Sequence, residues 1–314
     1  MLSSGYMKGL VYKSTGSWYV LKDEQLNVYK ARIKGVLKLD DITSTNPIAV
    51  GDEVVFEMEN EKEQTVTITE ICDRKNYIAR TSPHNKKQHH IVASNLDQAI
   101  LFATLKEPKT SQGFIDRFIV AAEAYHVPPV IVFNKADVYR QKELDRFDAL
   151  KDMYEAIGYK VVLTSIVDLT GIEEIKTLLL NKTTLLSGHS GVGKSSLINN
   201  IFPGLSLRTK AVSGWSGKGM HTTTFAEMFD LPFGGKVIDT PGVREFGLID
   251  IEKHELSHYF PEMRRLINDC QFNNCMHINE PDCAVKDAIN EGTIHVDRYV
   301  SYLSILDTIE EQNY

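Results

Sequence analysis

The sequence is poor in cysteine, with four in 314 residues, and three of them crowd between positions 270 and 283. That scarcity and clustering fit a reducing compartment and a metal site better than a disulfide framework. No run of about 18 apolar residues occurs, so no membrane-spanning helix is expected. The start, MLSSGYMKGLVYK, lacks a basic-then-apolar stretch, so no secretory signal is expected and the protein is read as cytoplasmic. Positive charge is also in deficit, with a formal net charge of −7. The basic residues that exist are local: Lys30, Arg32, Lys34 and Lys38; then Lys86, Lys87, His89 and His90; then Arg208, Lys210, Lys218 and His221 in a stretch free of acids. Each patch is either a solvated face or a surface for nucleic acid.

With 42% hydrophobic and 25% charged residues the chain is an ordinary globular composition, long enough for two or three domains. The first 80 residues read as β. Runs of β-branched and aromatic residues at 10–12, 18–21, 28–39, 52–58 and 65–71 are separated by turn signals such as Ser14-Thr15-Gly16-Ser17 and Asn46-Pro47. Five short strands with little helix predict a small closed barrel of the OB type, a fold that binds nucleic acid by stacking bases on aromatics. Tyr12, Trp18, Tyr19 and Tyr29 are candidates for that stacking, or else for the barrel core.

From Asn95 the pattern changes to alternating strand and helix: strands at 99–104, 130–133 and 161–163, helices around 115–122, 141–157 and 171–180. Such alternation predicts a mostly parallel sheet covered on both faces, with ligands at the C-terminal strand ends. The strongest motif follows a short strand at 183–187: Gly188-His189-Ser190-Gly191-Val192-Gly193-Lys194-Ser195-Ser196, leading into a helix with Leu197, Ile198 and Ile201 on one side. Strand, glycine loop and helix are the context in which G-x-x-x-x-G-K-S cradles phosphates. Main-chain N–H groups and the helix N-terminus face the anion, Lys194 reaches the β- and γ-phosphates, and the Ser195 hydroxyl ligates Mg²⁺.

Other strand ends carry matching boxes. Asn134-Lys135-Ala136-Asp137 is an N-K-x-D box, in which Asp137 accepts from the ring N1–H and exocyclic amine of guanine while Lys135 packs along the base. Thr164-Ser165 falls where a backbone donor to the guanine O6 is expected. Asp239-Thr240-Pro241-Gly242 is a D-x-x-G box, with Asp239 near Mg²⁺ and the Gly242 N–H near the γ-phosphate. D-x-x-G alone carries little weight, since about one copy per chain arises by chance. The order is more telling: N-K-x-D comes first, then Thr164-Ser165, the phosphate loop and D-x-x-G, a circular permutation of the usual GTPase order. The switch after Gly242 therefore leads directly into the C-terminal part.

That part holds Cys270-x4-Cys275-x-His277-x5-Cys283, three thiols and an imidazole suited to one tetrahedral structural Zn²⁺. Cys72, alone in a strand, reads as a core residue. The fold class expected is multidomain α/β: an OB-fold barrel over 1–85 that binds RNA, a circularly permuted P-loop GTPase domain over 86–250, and an α-helical zinc-binding domain over 251–314.

Barrel, permuted GTPase and Cys-x4-Cys-x-His-x5-Cys segment together resemble the bacterial RsgA (YjeQ) family of small-ribosomal-subunit-dependent GTPases. The likeness extends to Gly219-Met220-His221-Thr222-Thr223-Thr224, to Asp239-Thr240-Pro241-Gly242-Val243-Arg244-Glu245-Phe246 and to Glu280-Pro281-Asp282-Cys283-Ala284-Val285-Lys286. It implies a late maturation factor of the small ribosomal subunit, bound to its rRNA through the barrel and the zinc domain, whose slow GTP hydrolysis the subunit stimulates. Met220 replaces the commoner Arg of that run and Ile166 the commoner Ala after Thr164-Ser165. Lys194, Ser195, Asp239 and one threonine of 222–224, taken as Thr223, supply Mg²⁺ ligation and charge stabilisation, with Ser195, Thr223 and Asp239 the magnesium ligands. Val243 stands where Ras-like proteins carry Gln and cannot orient water. His221 either swings in when the ribosome orders its loop or only contacts RNA and caps the loop. Two other functions fit the same residues: an RNA-binding placeholder whose shape GTP fixes, and a regulatory GTPase acting on another RNA or protein. The partners expected are GTP or GDP, the small subunit and its rRNA, with no membrane, and the chain is read as a monomer.

Overall fold

A computed structural model of the chain describes residues 6–33, 47–81, 89–205, 207, 225–240 and 251–309. The expected sites at His221, Thr222, Thr223, Thr224 and Gly242, together with Met220 and Val243, lie outside the described residues.

The N-terminal strands are β1 (Tyr6–Ser14), β2 (Tyr19–Lys22), β3 (Val28–Ile33), β4 (Glu53–Asn60) and β5 (Thr65–Ile71). β1 pairs antiparallel with both β2 and β4, and the circuit is completed by antiparallel β2·β3 and β4·β5 and parallel β3·β5. Five strands in the cyclic order 1-2-3-5-4 make the expected OB-like barrel. Alternate residues fill it: Val11, Leu21, Ala31, Val54, Phe56, Val66 and Ile68, with Tyr19 and Tyr29 among them. Of the four aromatics named for stacking, only Trp18 is exposed, while Tyr12, Tyr19 and Tyr29 are buried. Tyr12 belongs to a different core from the other two. The pairing of β1 with β2 shifts register between Val11 and Lys13, so Val11 and Tyr12 are both buried, Val11 in the barrel and Tyr12 in the core of the central domain.

A hairpin not apparent from the sequence follows, β6 (Tyr77–Thr81) paired antiparallel with β7 (His89–Ser94). Its Ile78 and Ala93 pack with Leu96 into the central core.

The central sheet is built from β8 (Gln98–Ala103), β9 (Pro129–Phe133), β10 (Lys160–Leu163), β11 (Thr183–Gly188), β12 (Glu227–Asp230) and β13 (Lys236–Asp239). Their order is 10-9-8-11-13-12, parallel except for β12. Helices α1 (Gln112–Ala124), α2 (Gln141–Ile157), α3 (Ile172–Leu179) and α4 (Lys194–Ile201) cover both faces. β8 shows why: every residue is buried, and successive side chains go to opposite cores, Ala99, Leu101 and Ala103 to the face of α1 and α2, Ile100 and Phe102 to that of α3 and α4. β12, at the edge, pairs with β1 through Lys13 and Glu227, and Asp230 accepts hydrogen bonds from Tyr12 Oη and Lys22 Nζ at 2.6 Å each. The barrel is thus an extension of the central sheet.

In the C-terminal part the helices α5 (Pro261–Arg264), α6 (Ala284–Asn290) and α7 (Val296–Leu306) pack around Leu256, Phe260, Met263, Val285, Tyr302 and Ile305. Among the described residues no helix is long and apolar enough to cross a membrane.

Asp52 shows how barrel and hairpin are joined. Fully buried, it accepts from Arg74 Nε at 2.7 Å and Nη2 at 2.6 Å, from Ser94 Oγ at 2.5 Å and from the Ala49 amide at 2.8 Å. Removing one partner of a buried pair leaves an uncompensated charge. Arg74→Met is therefore expected to lower unfolding free energy by about 3–5 kcal/mol in urea titrations, and adding Asp52→Asn should recover part of that loss.

Candidate functional site

β11 sits between β8 and β13, so its C-terminal end is flanked by the ends of both. There the chain turns on glycines that no other residue replaces without strain. Gly188 has φ +141, and a Cβ on it would lie 2.5 Å from the Phe102 carbonyl oxygen; Gly193, with φ +88, leaves no room beside Asn134, whose Nδ2 would be 2.5 Å from the added carbon. Gly193 is the N-cap of α4, so the first free amides of that helix open into the same loop. Lys194, the first residue of α4, places Nζ 3.3 Å from Asp239 Oδ1 at the end of β13. Asp239 is buried, and its Oδ1 makes this ion-pair contact without an aligned hydrogen bond. A buried carboxylate oxygen beside the phosphate-loop lysine fits a site where a hydrated divalent cation and phosphate oxygens complete the charge balance.

Asn134 directly follows β9 and is buried. Its Nδ2 donates to the Val192 carbonyl in the phosphate loop at 2.9 Å, its Oδ1 accepts from Thr164 Oγ1 at 2.9 Å, and its own carbonyl accepts from Tyr139 Oη at 2.8 Å. Lys135 follows in the left-handed region, φ 65, with Nζ donating to the Glu107 carbonyl at 2.8 Å. Asp137 is exposed, and its carboxylate is held by Ser165 Oγ at 2.8 Å. The Thr164 and Ser165 amides are engaged internally, donating to the Phe133 carbonyl at 2.8 Å and the Thr170 carbonyl at 3.0 Å. The next amide on that turn, Ile166, has no internal partner among the described residues.

The structure therefore brings Asn134, Lys135, Ala136, Asp137, Thr164, Ser165, residues 188–196 and Asp239 to one edge of the sheet. Ser190, Gly191 and Ser196 are exposed there. The His189 side chain stacks on Phe114, ring centroids 3.8 Å apart. Two supports lie outside the motifs: Tyr139, which ties Asn134 to the Leu105 amide, and Glu107, whose contribution is a main-chain carbonyl. A tyrosine five residues after the N-K-x-D asparagine is a signal that sequence carries; a carbonyl is not.

The second cluster lies in the C-terminal part. One ligand atom each from Cys270, Cys275, His277 and Cys283 falls within 4.8 Å of all the others. His277 Nδ1 is 3.7 Å from Cys270 Sγ and 3.3 Å from Cys283 Sγ, and those two sulfurs are 4.0 Å apart. A tetrahedron with metal–sulfur bonds of about 2.3 Å has edges of about 3.8 Å, so the donor set has the dimensions of a closed metal site. Burial pushes the Cys275 thiol up to about 12 and raises Cys283, while burial lowers His277. Three buried thiols and a neutral imidazole need a cation to become ligands. Around them the loop is locked: the Glu280 carboxylate accepts from the amides of Met276, Ile278 and Asn279 at 2.8, 2.8 and 3.0 Å. Burial opposes ionisation of Glu280, but these donors hold it below the usual carboxylate range. Tyr299 and Tyr302 on α7 donate to the carbonyls of His277 and Met276 at 2.6 and 2.8 Å. The cluster can hold a metal ion.

A family profile described as RsgA GTPase matches residues 71–249, and one described as the RsgA N-terminal domain matches residues 8–66. The chain is 51% identical over 306 residues to the small ribosomal subunit biogenesis GTPase RsgA of Flavobacterium psychrophilum, covering 97% of this chain and 94% of that one. It is 50% identical over 308 residues to the small ribosomal subunit biogenesis GTPase RsgA 2 of Bacteroides thetaiotaomicron, covering 98% and 99%. Among solved structures it is similar to YjeQ from Thermotoga maritima, with TM-score 0.78, 34% identity and 98% and 100% of the two chains covered. It is also similar to YloQ, described as a circularly permuted GTPase, with TM-score 0.73, 31% identity and 98% and 97% coverage.

Because metal binding and folding of so small a core are linked, on the order of 10 kcal/mol of stability is at stake at the cysteine cluster. Treatment with a strong chelator is expected to abolish amide-exchange protection across 251–309 and leave β8 to β11 protected. Unchanged protection would show that the cluster folds without metal.

Proposed function

The chain belongs to the RsgA GTPase family, and from that premise we propose that this GTPase acts late in maturation of the small ribosomal subunit, binding its rRNA and hydrolysing GTP in response to the subunit. The observation that carries this reading is the Asn134 side chain, whose 2.9 Å bond to Val192 makes the base-reading and phosphate-binding loops one body.

In this site Asp137, preset by Ser165, accepts from the N1–H and exocyclic amine of guanine, and Lys135 covers the base edge. The turn 164–166 faces O6, with the Ile166 amide as its available donor. Residues 188–193 present amides to the phosphates, and Lys194 and the N-terminus of α4 neutralise them. Ser195 and Asp239, with Thr223, would hold Mg²⁺, which when bound offsets charge on the phosphate oxygens. The protein positions the phosphoryl group and stabilises its charge, and Val243 supplies nothing to orient water, so turnover by the chain alone is slow, no faster than about 10⁻² s⁻¹. His221 is the residue proposed to complete the site on the ribosome, with the Gly242 amide beside the γ-phosphate. Cys270, Cys275, His277 and Cys283 suit Zn²⁺, one ion with a structural role. The exposed Trp18 on the barrel and the metal-stapled C-terminal part are proposed to meet rRNA, in the cytoplasm, as a monomer.

The test is GTP hydrolysis by the zinc-loaded protein alone, with small ribosomal subunits, and with large subunits as control. The slow rate should rise tenfold or more with small subunits only. No stimulation by small subunits would move the partner elsewhere.

A further inference from the structure

The phosphate loop is held from three sides, and two of the holds come from the segment after β8, which contains none of the nucleotide boxes. Asn134 grips Val192. Pro108 lies against Gly191, 3.7 Å from where its Cβ would stand. The third hold is the stack of His189 on Phe114, centroids 3.8 Å apart and planes 29° apart. Phe114 stands in the first turn of α1, its amide donating to the N-cap Ser111 Oγ at 3.3 Å.

α1 is itself anchored two residues on. Asp116 is fully buried and accepts from Arg298 Nη1 at 2.6 Å and from Tyr154 Oη at 2.8 Å. Arg298, on α7 of the C-terminal part, is also fully buried, its Nε 2.6 Å from Glu262 Oε1 and its guanidinium 4.6 Å from the Phe260 ring centroid. A buried arginine between two carboxylates admits little play, because any displacement strands a charge out of water. Helix α1 is thus clamped to the C-terminal part at Asp116 and reaches the phosphate loop at Phe114.

The loop has reason to need such a brace. Gly188, Gly191 and Gly193 all have positive φ, and the same freedom that lets them turn amides toward an anion also lets the empty loop leave that arrangement. An aromatic stack on the one bulky side chain at the start of the loop limits that freedom. We propose that Phe114 is a positioning residue of the phosphate loop, acting through His189, and that Arg298 braces the helix from which it acts. Nucleotide affinity then depends on a residue of the metal-binding part that touches no nucleotide, by a route separate from the segment after Gly242. The inference rests on the phosphate-loop reading above.

The test uses the full-length metal-loaded protein and a fluorescent GDP analogue. Phe114→Leu keeps the apolar bulk and loses the stacking face; it should weaken GDP binding about 2- to 10-fold, mainly through faster dissociation. Phe114→Tyr should stay within about twofold of the parent, and His189→Ala added to Phe114→Leu should cost nothing more, since both remove one stack. GTP turnover at saturation should change less than affinity in every case, as a positioning role requires. Arg298→Lys keeps the charge but not the fork; in protein shown by urea unfolding to be folded, it should weaken GDP binding several-fold. Unaltered GDP affinity in Phe114→Leu overturns the proposal. Unaltered affinity in Arg298→Lys beside a weakened Phe114→Leu overturns the bracing by Arg298. Lys194→Ala separates the premises: if it too binds GDP like the parent, the phosphate-loop reading itself fails.

Discussion

Asn134 makes hydrogen bonds in opposite directions, to the Val192 carbonyl of the phosphate loop and from the Thr164 hydroxyl of the neighbouring strand end. Because it is buried, neither bond is exchanged for one with water, and the glycine loop and the N-K-x-D loop keep fixed distances. The rest of the site depends on this. Gly193 must be glycine because the Asn134 amide occupies the place of a side chain. Tyr139 is buried to hold the Asn134 carbonyl. The permutation is tolerated for the same reason: what the chemistry needs is that the ends of β8, β9, β10, β11 and β13 lie side by side, and a parallel sheet gives that adjacency whichever strand comes first.

The flanking parts are attached where they can share that rigidity. The barrel continues the central sheet through β1 and β12, with Asp230 gripping Tyr12 and Lys22. Burial disfavours the Asp230 charge, but those two donors hold its carboxyl below the ordinary range. The C-terminal part is fastened to α1 by Arg298 and Asp116. Both attachments pair a carboxylate with a cation and a tyrosine hydroxyl, Asp230 with Lys22 and Tyr12 and Asp116 with Arg298 and Tyr154, so they fix orientation more than they add stability.

Sequence legibility followed the chemistry. The strand-end boxes were readable because each fixes particular residue types at particular spacing, and the parallel strands because burial on both faces leaves them almost wholly apolar, as in β8. The β6–β7 hairpin was not, since it covers the central core and not the barrel, and the sequence between its strands carries no hairpin signature. β12 is four residues with a single buried side chain, too short to show alternation. Tyr12 shows the limit most clearly: a register shift at Val11 and Lys13 turns consecutive residues into two different cores, and nothing in the local pattern reveals it. The contacts of Phe114 with His189 and of Asp116 with Arg298 join positions 75 and 182 residues apart, respectively, and no motif spans such distances.

One guanine-nucleotide site read by Asp137 is the proposal these loops support. It is tested most directly by comparing GTP and xanthosine triphosphate binding in the parent protein and in Asp137→Asn. An amide in place of the carboxylate leaves a donor facing the donors of guanine, while xanthine presents a carbonyl there. The account predicts that GTP affinity falls by about 10³ or more and that preference passes to the xanthosine nucleotide. GTP affinity equal to that of the parent would contradict it.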